Sequence, residues 1–319
     1  MKFIFYILTF TFCILHLFSF VCAQQLPLYT QYSLNDYLHN PAIAGSRDYA
    51  DLKLNGRYQW AGFTGAPQTV ILSCNTPWKS ENVGVGGVLY NDRTGPTSRT
   101  GVGGSYAYHL RITESAKLSM GLALGIMQYR IDYSKLTWAD EGEPGISASI
   151  ESSMVPDGSF GFYWYAPDYF VGLSSYHIFH NRLKDRVFDP QYSYGYLVNH
   201  FFIMGGYKYR ANEKTDIVPV LLLKSVKPVP VQVDFSVRSI YEDKYWLGVS
   251  FRTQDAFSLL AGININDKFS FGYSYDITIS GLKKYSSGSH EVMMSYRFNA
   301  PKRVENTEEE TNDPFSPLF

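Results

Sequence analysis

Seven histidines, three cysteines and 29 acidic residues are the first places to look for chemistry in this chain. A hydrolytic site needs a Ser, a His and an acid or amide within mutual hydrogen-bond reach. The candidate bases are His109, His177, His180, His200 and His290, and none has a Ser and a third partner at the two-residue spacing that shares one strand face. In "HIFH", His177 and His180 would point to opposite faces of a strand, and two ligands do not make a metal site. The "GVGG" runs at 84–87 and 101–104 continue neither to a sixth-position Gly nor to Gly-Lys-Ser/Thr at a helix start. No phosphate loop follows from them. The expectation is a protein with no catalytic residues, no metal and no cofactor.

One charged set does share a face. Asp276, Glu291 and Arg297 fall on the same side as Gly272 and Ser274, and Arg252 holds the polar side of an earlier run. This arrangement predicts an ion-pair network inside a closed sheet, with the lining of a solute conduit as the alternative.

The elements that would carry these groups alternate with period two. In one run Tyr245, Leu247, Val249 and Phe251 oppose Trp246, Gly248, Ser250 and Arg252; in another Val102, Tyr106, Tyr108 and Leu110 oppose Gly101, Gly103, Ser105, His109 and Arg111. One face is apolar and aromatic, whereas the other is small and polar. A soluble sandwich would place Lys, Glu and Thr on its outward face, so the pattern fits a lipid-facing barrel better. Composition agrees, with 26 Tyr, 22 Phe and 26 Gly but only 18% charged residues. Lys plus Arg number 28, against 29 acids, so no basic field invites nucleic acid.

Marking strands by this rule gives about fourteen, near 49–60, 67–76, 82–92, 99–111, 116–133, 158–166, 168–179, 199–210, 214–226, 229–240, 243–254, 256–266, 267–279 and 288–299. The fold class is therefore all-β, a single antiparallel transmembrane β-barrel over 49–299. Short connections near 77–81, 112–115, 166–168, 211–213, 241–243 and 266–268 define one side, expected to be periplasmic. The long connections 134–157, 180–198 and 280–287 fall on the other side, the expected extracellular one.

Residues 1–23 have the apolar run and small-residue end of a cleaved signal peptide, which leaves Cys74 as the only thiol of the mature chain. Residues 24–48 carry no period and are expected either to plug the lumen or to lie along the periplasmic rim. Residues 300–319, with five acids against two bases, read as a flexible acidic periplasmic tail.

Five stretches together resemble the PorP/SprF family of Bacteroidetes outer-membrane proteins. They are "PLYTQYSLNDYLHNPAIAG", which includes Asn40 and Pro41; "WAGFTGAPQTVILS", which starts at Trp60; "GVGGVLYNDRTGP", which includes Asp92; "YAYHLRITESAKLSMGLALG"; and "FGYSYDITISGLKKYSSGSHEVMMSYRF", which includes His290. The resemblance implies a type IX secretion role: delivering or anchoring cargo with a type B C-terminal sorting domain, such as gliding adhesins, at the cell surface. It also implies translocon and periplasmic ring components as partners. A channel or hydrophobic-solute transporter is the alternative function for the same barrel.

Overall fold

Fourteen antiparallel strands close into one barrel in the computed structural model, which describes residues 26–136, 150–184 and 194–299. They are β1 (Ala50–Tyr58), β2 (Gln68–Trp78), β3 (Ser80–Thr94), β4 (Thr97–Arg111), β5 (Lys117–Asp132), β6 (Ile150–Tyr165) and β7 (Tyr169–Tyr176). Then come β8 (His200–Tyr207, continued by Tyr209–Asn212), β9 (Thr215–Val226), β10 (Val229–Tyr241), β11 (Tyr245–Arg252), β12 (Ala256–Asn264), β13 (Phe269–Thr278) and β14 (Ser289–Phe298). Each strand pairs with the one before it, and β14 returns to β1 with Phe298 opposite Ala50 and His290 opposite Tyr58. Among the described residues, closure leaves the barrel itself no open edge, the condition for a sheet to cross a bilayer.

The faces are inverted relative to a water-soluble protein. On β11, Leu247 is 68% exposed while the neighbouring Trp246 and Arg252 are 5% and 2% exposed. Tyr245, Val249 and Phe251 are exposed beside Leu247, and Val102, Tyr106, Tyr108 and Leu110 behave alike on β4. Such an apolar belt around a polar interior is stable only against lipid.

Local sequence explains the tight turns. The Asn266 side chain accepts from the backbone N–H groups of Lys268 and Phe269, and Asn212 accepts from that of Lys214. Thr113 does the same for Ser115 and Ala116. These self-bonding side chains reverse the chain within a few residues.

The opposite rim is tied across the seam. The Ala61 N–H donates to the Gly288 carbonyl, and the Ser287 N–H to the Ala61 carbonyl, each at 2.7 Å. Trp60, in the left-handed region at φ 51°, donates its N–H to Ser289 Oγ.

One local expectation needs correction. β6 begins at Ile150 rather than near 158, because residues 150–157 continue the ladder against β5 down to Ile150 opposite Asp132. Its Ser-rich sequence hid that extension from a hydrophobic count. At the two described ends of the 180–198 connection, Arg182–Lys184 pairs with Tyr194–Tyr196, and Leu183 and Leu197 are buried against Met127 and Val155. Most of the predicted loop 134–157 and the centre of 180–198 lie outside the described residues, as do the signal-peptide and acidic-tail segments.

Candidate functional site: the occupied lumen

Residues 26–48 run through the interior of the barrel. Two short 3-10 turns, Asp36–His39 and Pro41–Ile43, set their course. Tyr32, Tyr37, Ala42, Ile43 and Ala44 are buried in one cluster with wall residues that include Ala107, Tyr163, Phe202 and Val220. The segment therefore meets side chains from β4, β6, β8 and β9 at once.

At its beginning the segment is held by charge. Arg57 Nη2 lies 2.6 Å from Asp276, and Arg57 Nη1 lies 2.9 Å from Glu291. Arg252 adds contacts to Asp234 at 2.7 Å, Asp255 at 3.0 Å and Asp276 at 4.0 Å. Two guanidinium groups thus face four wall carboxylates. The plug satisfies the excess acceptors: Thr30 N–H donates to Glu291 Oε2 at 2.8 Å, and Gln31 N–H to Glu291 Oε1 at 3.2 Å. The Thr30 hydroxyl lies 2.8 and 2.9 Å from the two Asp276 oxygens, to which it donates, and accepts from Arg57 Nη1 at 3.0 Å. Arg252 Nη2 donates to the Tyr29 carbonyl. Buried charges are tolerable only with such partners.

A second buried cluster fastens the far part of the segment. Arg47 Nη2 reaches both Asp36 oxygens at 3.0 Å, Arg47 Nη1 lies 3.7 Å from Asp51, and Lys53 closes on Asp51 at 2.6 Å.

Between these clusters the holding is steric and dipolar. Asn40 Oδ1 accepts from the Ala42 N–H at 2.9 Å and caps the second turn, while its Nδ2 donates to the Phe162 carbonyl at 2.8 Å. The Ser174 hydroxyl donates to the His39 carbonyl, and Tyr176 OH to that of Leu38 at 3.0 Å. A Cβ on Gly121 would overlap the Ala42 backbone, and one on Gly84 the Ala44 carbonyl. The wall is cut to backbone there so that the "NPAIAG" stretch can lie against it. His109 completes this side, with Nε2 at 2.9 Å from the Ala44 carbonyl and Nδ1 at 3.0 Å from Tyr165 OH. Burial, with the Lys224 and Arg252 charges nearby, pulls the His39 imidazole down to about 3.

Of the residues singled out in the sequence, Arg252, Asp276 and Glu291 join one cluster in the lumen, and Asn40 and Pro41 are buried in another part of it. Asp92 accepts from Thr69 Oγ1 at 2.7 Å, apart from the main cluster. Arg297 lies over the Tyr49 ring, 5.6 Å from its centroid, and makes no part of the Asp276–Glu291 network. Trp60 sits at the rim. His290, part of the last family stretch, follows the parity of Met294 and faces outside the barrel, where Nδ1 meets Tyr273 OH at 2.7 Å. Sequence reasoning missed Arg57, Asp234 and Thr30. The signal for Arg57 was its parity with Lys53 and Asn55, opposite to Leu52 and Leu54, in the first strand. Among the described residues no three His, Cys, Asp or Glu side chains converge as a metal site requires.

Several solved outer-membrane barrels are similar in outline at low identity. A monoaromatic hydrocarbon channel, CymD, aligns with TM-score 0.48 and 11% identity over 87% of this chain and 94% of its own. The Pseudomonas putida toluene transporter TodX gives 0.45 and 7% over 83% and 93%. A KdgM porin gives 0.39 and 9% over 78% and 99%. No curated protein sequence matches. The family model for the type IX secretion system membrane protein PorP/SprF matches residues 21–296, from before the plug into the fourteenth strand. The chain belongs to the PorP/SprF family and is a type IX secretion component of the outer membrane.

Proposed function

We propose that this barrel holds cargo bearing a type B C-terminal sorting domain, of the gliding-adhesin kind, at the cell surface. Its partners in this reading are the type IX translocon and the periplasmic ring components. Both termini and the short Asn- and Thr-stabilised turns face the periplasm; the rim formed by 59–66 and 280–288 faces outward. The barrel is a binding component and performs no catalysis.

The observation that supports the reading best is the occupied lumen. With residues 26–48 bound to the wall by two buried ion clusters, recognition falls to the rims rather than to a conduit. The rim also offers a contact surface: Tyr285 is 70% exposed, 6.2 Å from the Phe63 ring and next to Lys283 and Lys284. Aromatic and cationic side chains of this kind are common anchors in protein interfaces.

Affinity purification of the tagged protein from outer membranes tests the assignment. A sorting-domain protein and ring components should co-purify, and Tyr285→Ala with Lys283→Glu should lose the cargo while retaining the ring. Absence of both partners would defeat the proposal. Steady conductance by the reconstituted wild type, with surface proteins undisturbed in a deletion strain, would favour the solute-channel reading.

A further inference from the structure

Between the plug and strands β3 to β6 the lumen is left partly unfilled. A cavity of about 150 Å³ lies there, walled mainly by Leu26, Pro27, Tyr29, Val88, Tyr90 and Met127. Its origin is in the register. Val88, Gly103, Gly125 and Asp157 stand side by side across four strands, so two adjacent wall positions carry no side chain. An apolar void of this size accommodates a molecule as large as benzene.

Two buried imidazoles border the same space with a nitrogen unused. His39 Nδ1 and His177 Nδ1 make no hydrogen bond, although His177 Nδ1 is 3.0 Å from Asp157 Oδ1, off the line of one. His177 is only 2% exposed. A buried polar atom left in this state is unfavourable until a partner arrives. Apart from Asp157, whose Oδ1 already faces His177, the walls are apolar and repay little of the desolvation of a full charge, which favours an uncharged partner.

We propose that this cavity binds an uncharged apolar molecule about the size of a single ring that carries one hydroxyl, with the hydroxyl paired to His177 and His39 beside it. The site rests on the cavity and its orphaned nitrogens alone, independently of the secretion reading.

The test uses the full-length protein in lipid nanodiscs with 13C-methyl methionine, the Met127 signal being assigned through Met127→Leu. Benzene and phenol are the two probes. Both should shift Met127 saturably, with phenol binding about tenfold more tightly, a difference of about 1.4 kcal/mol. His177→Leu should erase the advantage of phenol and leave benzene unchanged. Gly103→Leu should abolish saturation by both probes; a Cβ there makes only ordinary contact, 3.4 Å from the Leu124 carbonyl oxygen. Should that variant not fold, Ala123→Phe fills the same space from the next strand. A wild-type Met127 signal that does not saturate, or one that still saturates in a folded filled variant, overturns the site. An advantage for phenol that survives both His177→Leu and His39→Leu overturns the assigned hydroxyl contact.

Discussion

The two sides of the lumen hold the same segment by different physics. Around Thr30 and Gln31, strands β1, β10, β11, β13 and β14 present ionised groups, and the plug supplies the donors that complete them. Around Asn40 to Ala44, strands β3, β5 and β6 present bare backbone, and the plug supplies shape. The charged side depends on partners, so removing one group exposes the rest. The glycine side depends on empty volume, so adding atoms disrupts it.

The largest effect should follow Arg57→Ala. It leaves Asp276 and Glu291 without their nearest cation, and loss of one member of a buried pair typically costs about 3–5 kcal/mol. Equilibrium unfolding in bilayers measures the loss. In the same background, a Ser33→Cys reporter, buried in the wild type, should become reactive to a water-soluble maleimide.

Gly121→Val should loosen the stretch from Asn40 to Ala44. Overpacking costs about 1–3 kcal/mol, and here the added atoms meet the Pro41 and Ala42 backbone. An Ala42→Cys reporter should react while Ser33→Cys stays protected, the reverse of the pattern expected near Arg57. Equal exposure of both reporters in either variant would mean that the plug leaves as one unit and that the two-sided description fails.

A smaller effect is expected from pH. His39 is held neutral, with its pKa depressed from 6.5 to about 3, so the folded state binds fewer protons than the unfolded one below 6.5. Its contribution is complete above pH 6.5 and is lost as pH falls toward 3. Plug retention should weaken by about 1.4 kcal/mol per pH unit through that window. His39→Gln should flatten the slope, as followed by equilibrium unfolding in bilayers between pH 7.5 and 5. The smallest effect belongs to Glu242→Gln. The Lys214–Glu242 contact, 2.6 Å long, is a solvent-exposed pair at a turn, and the unfolding midpoint should not move.

Much of the wall was legible in the sequence because strand parity is local. Asp276, Glu291 and Arg252 could be placed on one face by counting residues, and β11 could be divided into lipid and lumen halves. The same counting puts His290 outside with Met294. Arg57 was equally countable, but its importance depends on standing opposite Glu291, and that pairing exists only once β14 closes on β1. The start of β6 escaped because Glu151, Ser152 and Ser153 give a weak amphipathic signal, while the ladder with β5 is set by backbone bonds indifferent to side-chain type.

The sequence by itself determined the alternation, the number of strands, the turn chemistry and the family. Each rests on neighbours two to four residues apart, or on motifs read in order. Only the tertiary structure decided where residues 26–48 go, which carboxylates meet which arginines, and that β3 to β6 leave a cavity beside the plug. Those outcomes join residues as far apart as Thr30 and Glu291, brought together by closure of the ring, and no local periodicity encodes what lies across a lumen.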